Sequence, residues 1–374
     1  MTRDPLHTKL CDLFGVEYPI LAFTHCKDVA AAVTNAGGIG VLGELTHTPD
    51  EIAQDIRWLK EKCGDKPFGI DLVFPASVPP SANIEDLQTQ IPDEHRRFVE
   101  DIMRRHNLPA PKLEAGQQPG FGIARGGLLS QEHGRRQLDV VLEERVPLFA
   151  SGLGNPAFIV DAAHERGIKV AGLIGKVRQA RRELEAGVDV IIAQGYDAGG
   201  HTGEIGTFTL IPRVVEIAGD TPVLCAGGVG TGQHLAAALC LGASGVWTGT
   251  LWLTSRESDM DIVIKEKLIA ATEEDTTRSR SLTGKPARLL KTALTDEWEQ
   301  PGAPAPLPMP LQGILTAELQ MSVHQNRYEP FLGTPAGQVI GTMHEMKPCR
   351  EIVFDLVTEA RDVLEGLLGD PVEV

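Results

Sequence analysis

Eight short apolar runs, separated by stretches that read as helices closing on glycine, constrain this 374-residue chain more than any other feature. The runs are YPILAF, GIGVLG, PFGIDLVF, VPLFAS, IKVAGLI, VDVIIAQ, TPVLCAG and ASGVWTG, the first at residues 18–23 and the last at residues 243–249. Each is apolar on successive rather than alternate positions. That is the pattern of a strand buried on both faces, and so of a parallel sheet. Between them, DVAAAVTNAGG stops at Gly37, and NPAFIVDAAHERG, KVRQARRELEAG and GQHLAAALCLG also end in glycine, the residue that most easily turns left-handed past a helix end. TPDEIAQDIRWLKEKCG opens with Thr48 as N-cap and Pro49 in the first turn, and closes on Gly64. Eight βα units close most simply into a (β/α)8 TIM barrel; a doubly wound open sheet is the competing arrangement.

Two segments interrupt the alternation. Residues 75–127 are polar and proline-rich at both ends, with a helix expected around residues 92–106. They read as an insertion after strand three, either a lid or a solvated decoration. Beyond residue 255 lies a C-terminal helical extension. It holds the proline-rich connector PGAPAPLPMPLQG, expected to lack regular structure, and a last helix in REIVFDLVTEARDVLEGLLG. The expected organisation is therefore a barrel over residues 1–255, carrying the insertion 75–127, and an extension over residues 256–374 that packs on or completes it.

Composition narrows the function classes. A net charge of −16 argues against a nucleic-acid partner, because phosphate binding needs clustered Lys and Arg. No apolar run approaches the ~20 residues of a membrane span, and MTRDPLHTKLCDLFG lacks the apolar core of a secretory leader. The six cysteines form no C-x-x-C pair and read as reduced, mostly buried thiols, so a cytoplasmic location is expected. HCKD, at residues 25–28, has neither metal-ligand spacing nor a base partner for Cys26, and no metal is expected.

The chemistry gathers at the predicted C-terminal ends of the strands. QGYDAGGHTGEIG, residues 194–206, follows strand six. Gln194 would face the barrel mouth, and Gly199 and Gly200 would let the main chain lie against a flat ligand. His201 would project over that ligand, where a neutral imidazole can take a proton from carbon; the plainer reading is a histidine capping a glycine-rich turn. CAGGVGTG and WTGT follow strands seven and eight, the usual phosphate position in such barrels. Main-chain N–H groups at Gly227, Gly228, Gly249 and Thr250 would serve it, beside Thr248. Two ordinary turns are the alternative. A dinucleotide fingerprint would need an acidic residue about twenty positions on, and GASGVWTG has none. The glycines of VTNAGGIGVLG read as structural. Asp71 ends strand three and either reaches the mouth or caps a helix. Phe23, Phe74, Tyr196 and Trp247, all near strand ends, either wall a flat ligand or fill the core.

Together, YPIL, DVAAAVTNAGGIGVLG, IIAQGYDAGGHTGE, VLCAGGVGTGQHLAAALCLGASGVWTGT and SLTGKPARLL resemble the nitronate monooxygenases, which are FMN-dependent TIM-barrel enzymes. The resemblance runs in order over residues 13–290. It implies that Gln194, Gly199, Gly200, Gly228, Gly249 and Thr250 bind FMN and that His201 is the base removing the Cα proton of a nitroalkane, with O2 as oxidant. The pattern departs in three places. Ala22, Phe23 and Thr24 stand where the family often has APM, and Asp71 stands where it has Asn; all four are expected near the flavin with Gly227 and Thr248. ASGLG, residues 150–154, replaces a frequent FHFG and loses a histidine. An ionised Asp71 would oppose an anionic reduced flavin and an anionic substrate alike. The implied partners are a small-molecule substrate and O2, with a homodimer left open. An FMN-dependent NAD(P)H reductase of a quinone or enoyl thioester is the alternative on the same barrel, and a barrel binding a phosphorylated metabolite is the non-redox alternative.

Overall fold

The computed structural model describes residues 4–74, 84–112, 123–124, 127–128, 131–152, 154 and 156–368. Eight parallel strands close a barrel: β1 (Ile20–Thr24), β2 (Ile39–Gly43), β3 (Gly69–Val73), β4 (Leu148–Gly152), β5 (Lys169–Ile174), β6 (Val190–Gln194), β7 (Val223–Ala226) and β8 (Gly245–Thr248). Each pairs with its sequence neighbour, and β1 returns to β8 with Leu21 opposite Trp247. The chain is thus a (β/α)8 TIM barrel, and the open sheet is excluded. Alternate residues divide between two apolar layers. Leu21, Val41, Ala150, Ile192, Leu224 and Trp247 fill the interior, while Ile20, Leu42, Ile70, Phe149 and Val170 pack against the helices. Burial on both faces explains why the runs are continuously apolar.

Several helices follow the sequence signals closely. Pro49–Cys63 starts in a full capping box, in which Thr48 and Glu51 each bond the other's main-chain N–H. Lys27–Asn35 lies directly on β2, because Gly40 has no side chain: a Cβ there would sit 2.0 Å from the Ala30 carbonyl oxygen. A short helix the sequence reading passed over, Lys9–Phe14, closes the N-terminal end of the barrel. Thr8 caps it and donates 2.5 Å to the Ser244 carbonyl, and Leu10 and Cys11 join the interior layer.

A second apolar cluster stands apart from the barrel. Helices Ile84–Thr89 and Asp93–Arg105, both from the insertion, pack on Leu311–Gln325 from the extension. Val99, Ile102, Leu315, Leu319, Trp298 and Phe331 lie in this shared core. Arg105 clamps Glu297 through two bonds of 2.9 and 2.7 Å, and His106 Nε2 lies 2.8 Å from the same carboxylate. The helix expected around residues 92–106 is present and a shorter one, Ile84–Thr89, precedes it, whereas residues 75–83, 113–122 and 125–126 of the insertion lie outside the described residues. The proline-rich connector is shorter than expected. Residues 301–310 carry no helix or strand, but Leu311, Gln312 and Gly313 already belong to the next helix, because a helix can begin right after Pro310 although it cannot run through it.

The last helix, Cys349–Leu368, returns to the barrel and packs on Gly232–Cys240. A Cβ on Gly232 would meet the Ala360 nitrogen at 2.5 Å, and Glu359 accepts a 2.7 Å bond from the Gly232 N–H. No described helix is long and apolar enough to cross a membrane. Five of the six cysteines are buried and none is paired.

One buried acid carries a stability prediction. Glu183, on Val177–Ala186, is 3% exposed and fills the space left by Gly172 of β5. Its Oε2 has no hydrogen-bond partner among the described residues, and burial pushes its pKa up to about 7. The folded state therefore binds this proton more tightly than the unfolded chain does. The resulting stabilisation is complete below about pH 4.5 and is lost as pH rises through 7. Glu183→Gln is expected to raise Tm at pH 8, by an amount equivalent to ~2 kcal/mol, and to change it little at pH 5. Equal shifts at both pH values in a thermal melt would contradict this.

Candidate active site

The segment after β6 is held from several sides. Asp197 Oδ2 accepts a 3.1 Å bond from the Thr207 N–H and so caps the helix Thr207–Ala218. Gly200 and His201 form a short strand against Ala287 and Arg288, which pair in turn with Thr276–Ser279. Gly200 has φ +71° with open space where a side chain would be. Gly199 differs. A Cβ there would lie 2.8 Å from Ala336 C and Gly337 N, so the close approach that requires glycine is to the chain's own C-terminal segment.

His201 is half-buried, and its Nε2 lies 2.7 Å from Thr283 Oγ1. Nδ1 has no hydrogen-bond partner among the described residues. Burial, helped by the Lys285 charge, pushes the imidazole pKa down to about 4, so the ring is neutral at pH 7. That is the protonation state a base must start from.

The loops after β7 and β8 meet this segment. Gly227 (φ +90°) presses on Ala198, with a Cβ position only 2.9 Å from the Ala198 nitrogen. Gly228 (φ +75°) is freer, its nearest neighbour being Asp197 Oδ2 at 3.6 Å, and Gly249 is freer still, with Phe23 at 3.9 Å. Gly249 leads into the short turn Thr250–Trp252. Thr250 Oγ1 accepts a 2.9 Å bond from the Gly337 N–H, and the Gln338 N–H donates to the Asp197 carbonyl at 3.0 Å. Residues 337–338 therefore tie the His201 loop to the β8 turn. Thr248 offers a ligand only main chain, since its hydroxyl donates to the Leu21 carbonyl at 3.1 Å and accepts from Trp252 Nε1 at 3.1 Å.

On the other side of the mouth, strand alternation separates three neighbours. Phe23 faces inward and stacks on Trp247 at 5.7 Å. Ala22 belongs to the outer layer, and the Thr24 hydroxyl accepts from the Cys26 N–H at 3.0 Å. His25 packs edge-on to Phe23 at 5.1 Å, with Nδ1 2.8 Å from the Gly43 carbonyl. The four strand-end aromatics do not form one wall. Phe74 joins Phe149 and Phe158, and Tyr196 carries the guanidinium groups of Arg278 and Arg288 at 5.0 and 4.7 Å.

Asp71 lies within the barrel, buried, opposite Ala150 of the interior layer. Its carboxyl caps no helix and makes no hydrogen bond among the described residues. Burial pushes its pKa well above the usual carboxylate range. That burial disfavours the ionised form that would oppose a reduced flavin.

The sequence reading missed the partners brought in from residues 276–290. Thr283, Lys285, Arg278 and Arg288 reach His201 and Tyr196 only through the three-stranded sheet. Their one signal was SLTGKPARLL, noticed as a motif without roles. Glu44, His47 and Asp55 also gather, with ligand-type atoms within 4.8 Å of one another. Here His47 bonds Glu44, and Lys27 pairs with Asp55 at 2.6 Å, so two basic groups answer the two acids.

A family model described as nitronate monooxygenase matches residues 7–359. The chain is 43% identical to a putative monooxygenase of Mycobacterium tuberculosis, over 97% of this chain and 99% of that protein. It is 30% identical to a probable nitronate monooxygenase of Staphylococcus saprophyticus, over 84% and 87%. Among solved structures it is similar to nitroalkane oxidase from Streptomyces ansochromogenes (TM-score 0.79, 27% identity, 96% and 99% coverage). It is also similar to FabK from Thermotoga maritima (TM-score 0.74, 30% identity, 97% and 99% coverage).

Proposed function

Because the chain belongs to the nitronate monooxygenase family, we propose that it is an FMN-dependent oxidoreductase that oxidises nitroalkanes and nitronates with O2, using His201 as base. The observation that carries this reading is the neutral, half-buried His201, with Nδ1 unpartnered and Nε2 tied to Thr283. The residues present suit a flat, phosphate-tailed group. A Cβ would meet nothing at Gly200 and only ordinary van der Waals neighbours at Gly228 and Gly249, and the buried Thr207 hydroxyl, with no hydrogen-bond partner among the described residues, lies near Gly228. Gly228, Gly249 and Thr250 would hold the phosphate through N–H groups, with Gln194 and Gly200 beside the ring. When bound, the flavin supplies the electron transfer to O2 that no side chain here can perform.

The chain's own part is proton transfer and electrostatics. The Cα–H bond of the nitroalkane breaks, its proton passes to His201 Nδ1, and the electron pair moves into the nitro group as a nitronate. The Lys285 charge, which already disfavours a charged His201, favours that anion. Burial of Asp71 disfavours an opposing negative charge beside it. Phe23 and Trp247 keep part of the mouth dry. A reductase reading uses the same cradle but has no need of an unprotonated base, so the state of His201 favours the oxidase.

Anaerobic mixing separates the two. Under argon, the FMN-loaded protein is expected to lose its flavin absorbance on adding ethyl nitronate and to keep it with NADH or NADPH. The opposite pattern would establish the reductase. A protein unable to retain FMN supplied in excess would remove both.

A further inference from the structure

We propose that Thr283 is a positioning residue which accepts the Nε2–H of His201, so that the Nδ1 lone pair is the one presented to substrate. This rests on the proposed role of His201 as base. The geometry is specific. Thr283 is 8% exposed, its Oγ1 lies 2.7 Å from Nε2, and the Lys285 N–H points at the same oxygen from 3.4 Å. A neutral imidazole carries one proton, and the hydrogen bond made by one nitrogen decides what the other can do. Were the threonine hydroxyl to donate to Nε2, the proton would sit on Nδ1. At Nδ1 the ring could then only donate a hydrogen bond, and could not remove a proton from carbon. With the hydroxyl oxygen as acceptor, Nδ1 takes the Cα proton and the resulting imidazolium keeps an acceptor for its buried Nε2–H. No other described side chain bonds Nε2. The pair also joins two distant stretches, since Thr283 lies in the turn between the strands Thr276–Ser279 and Ala287–Leu290, and Ala287 pairs with His201 itself.

The test begins with the tautomer. In 15N-histidine-labelled, FMN-loaded protein, the His201 signals, assigned by their loss in His201→Gln, are expected to show a protonated Nε2 and a pyridine-like Nδ1. A protonated Nδ1 overturns the proposal. Thr283→Val is expected to populate both tautomers and to lower kcat for neutral nitroethane roughly tenfold to a hundredfold, the scale of an unsatisfied buried partner, with kcat for preformed ethyl nitronate unchanged. Thr283→Ser is expected to restore both tautomer and rate. An unaltered tautomer in Thr283→Val, or equal losses on the two substrates, refutes the role. If Thr283→Val does not fold, the wild-type tautomer and the Thr283→Ser rate still decide it. A wild-type protein that turns over no nitro compound at all would instead defeat the oxidase reading, and the tautomer measurement does not depend on turnover.

Discussion

Replacing His201 by alanine is expected to lower turnover of a neutral nitroalkane by roughly 10²–10⁴, the range for loss of a general base, and to leave turnover of a preformed nitronate largely intact. The two substrates differ by one proton, and only the neutral one needs a base. The pKa of the imidazole, near 4, adds a second signature. The nitroalkane reaction should keep its rate as pH falls through 6.5, where an ordinary histidine would protonate, and decline only near 4; the nitronate reaction should lack that limb. Steady-state rates for nitroethane and ethyl nitronate, measured side by side on wild type and variant with FMN content checked by absorbance, decide the matter. Equal loss on both substrates, or no loss on either, would show that His201 is not the base.

Gly40→Ala is expected to have the largest effect on stability. The added methyl would sit 2.0 Å from the Ala30 carbonyl oxygen and 2.5 Å from the Ala30 carbonyl carbon and Cα. These are main-chain atoms of Lys27–Asn35, so no rotamer change can relieve the overlap, and the helix must lift off β2. Overpacking typically costs 1–3 kcal/mol; with a main-chain collision the expected loss is about 3 kcal/mol or more, read as a fall in Tm of several degrees. Gly366→Ala is the control. It lies exposed on the last helix with nothing near its Cβ position, and should be neutral or stabilising by up to ~1 kcal/mol. A Gly40→Ala protein melting with wild type would mean that the helix is not seated on β2 as described.

Much of the barrel was legible because its signals are local. A continuously apolar run reports burial on both faces, and Thr48, Pro49 and Gly64 mark helix ends through bonds within a few residues. The glycine-rich stretches around His201, Gly228 and Gly249 were legible as places where main chain lies bare. The reason for each glycine was not. Gly200 keeps open space and Gly228 only ordinary van der Waals neighbours, but Gly199 is pressed by Ala336 and Gly337, more than 130 positions later. The fused core of insertion and extension was equally hidden, because Trp298 and Leu315 meet Val99 and Ile102 only in space. Strand parity, which sends Phe23 inward and Ala22 and Thr24 outward, needed the register.

By itself, then, the order of residues determined eight βα units with glycine-rich main chain and His201 after the sixth strand, since periodicity and turn chemistry act over a few residues; their closure into a barrel needed the pairing of β1 with β8. Which nitrogen of that histidine is free, how burial biases Asp71 against its charge, and what holds the His201 loop were decided by the tertiary structure. Each depends on burial and on partners from distant segments, Thr283 and Lys285 for His201, the barrel interior for Asp71, and residues 337–338 for the loop.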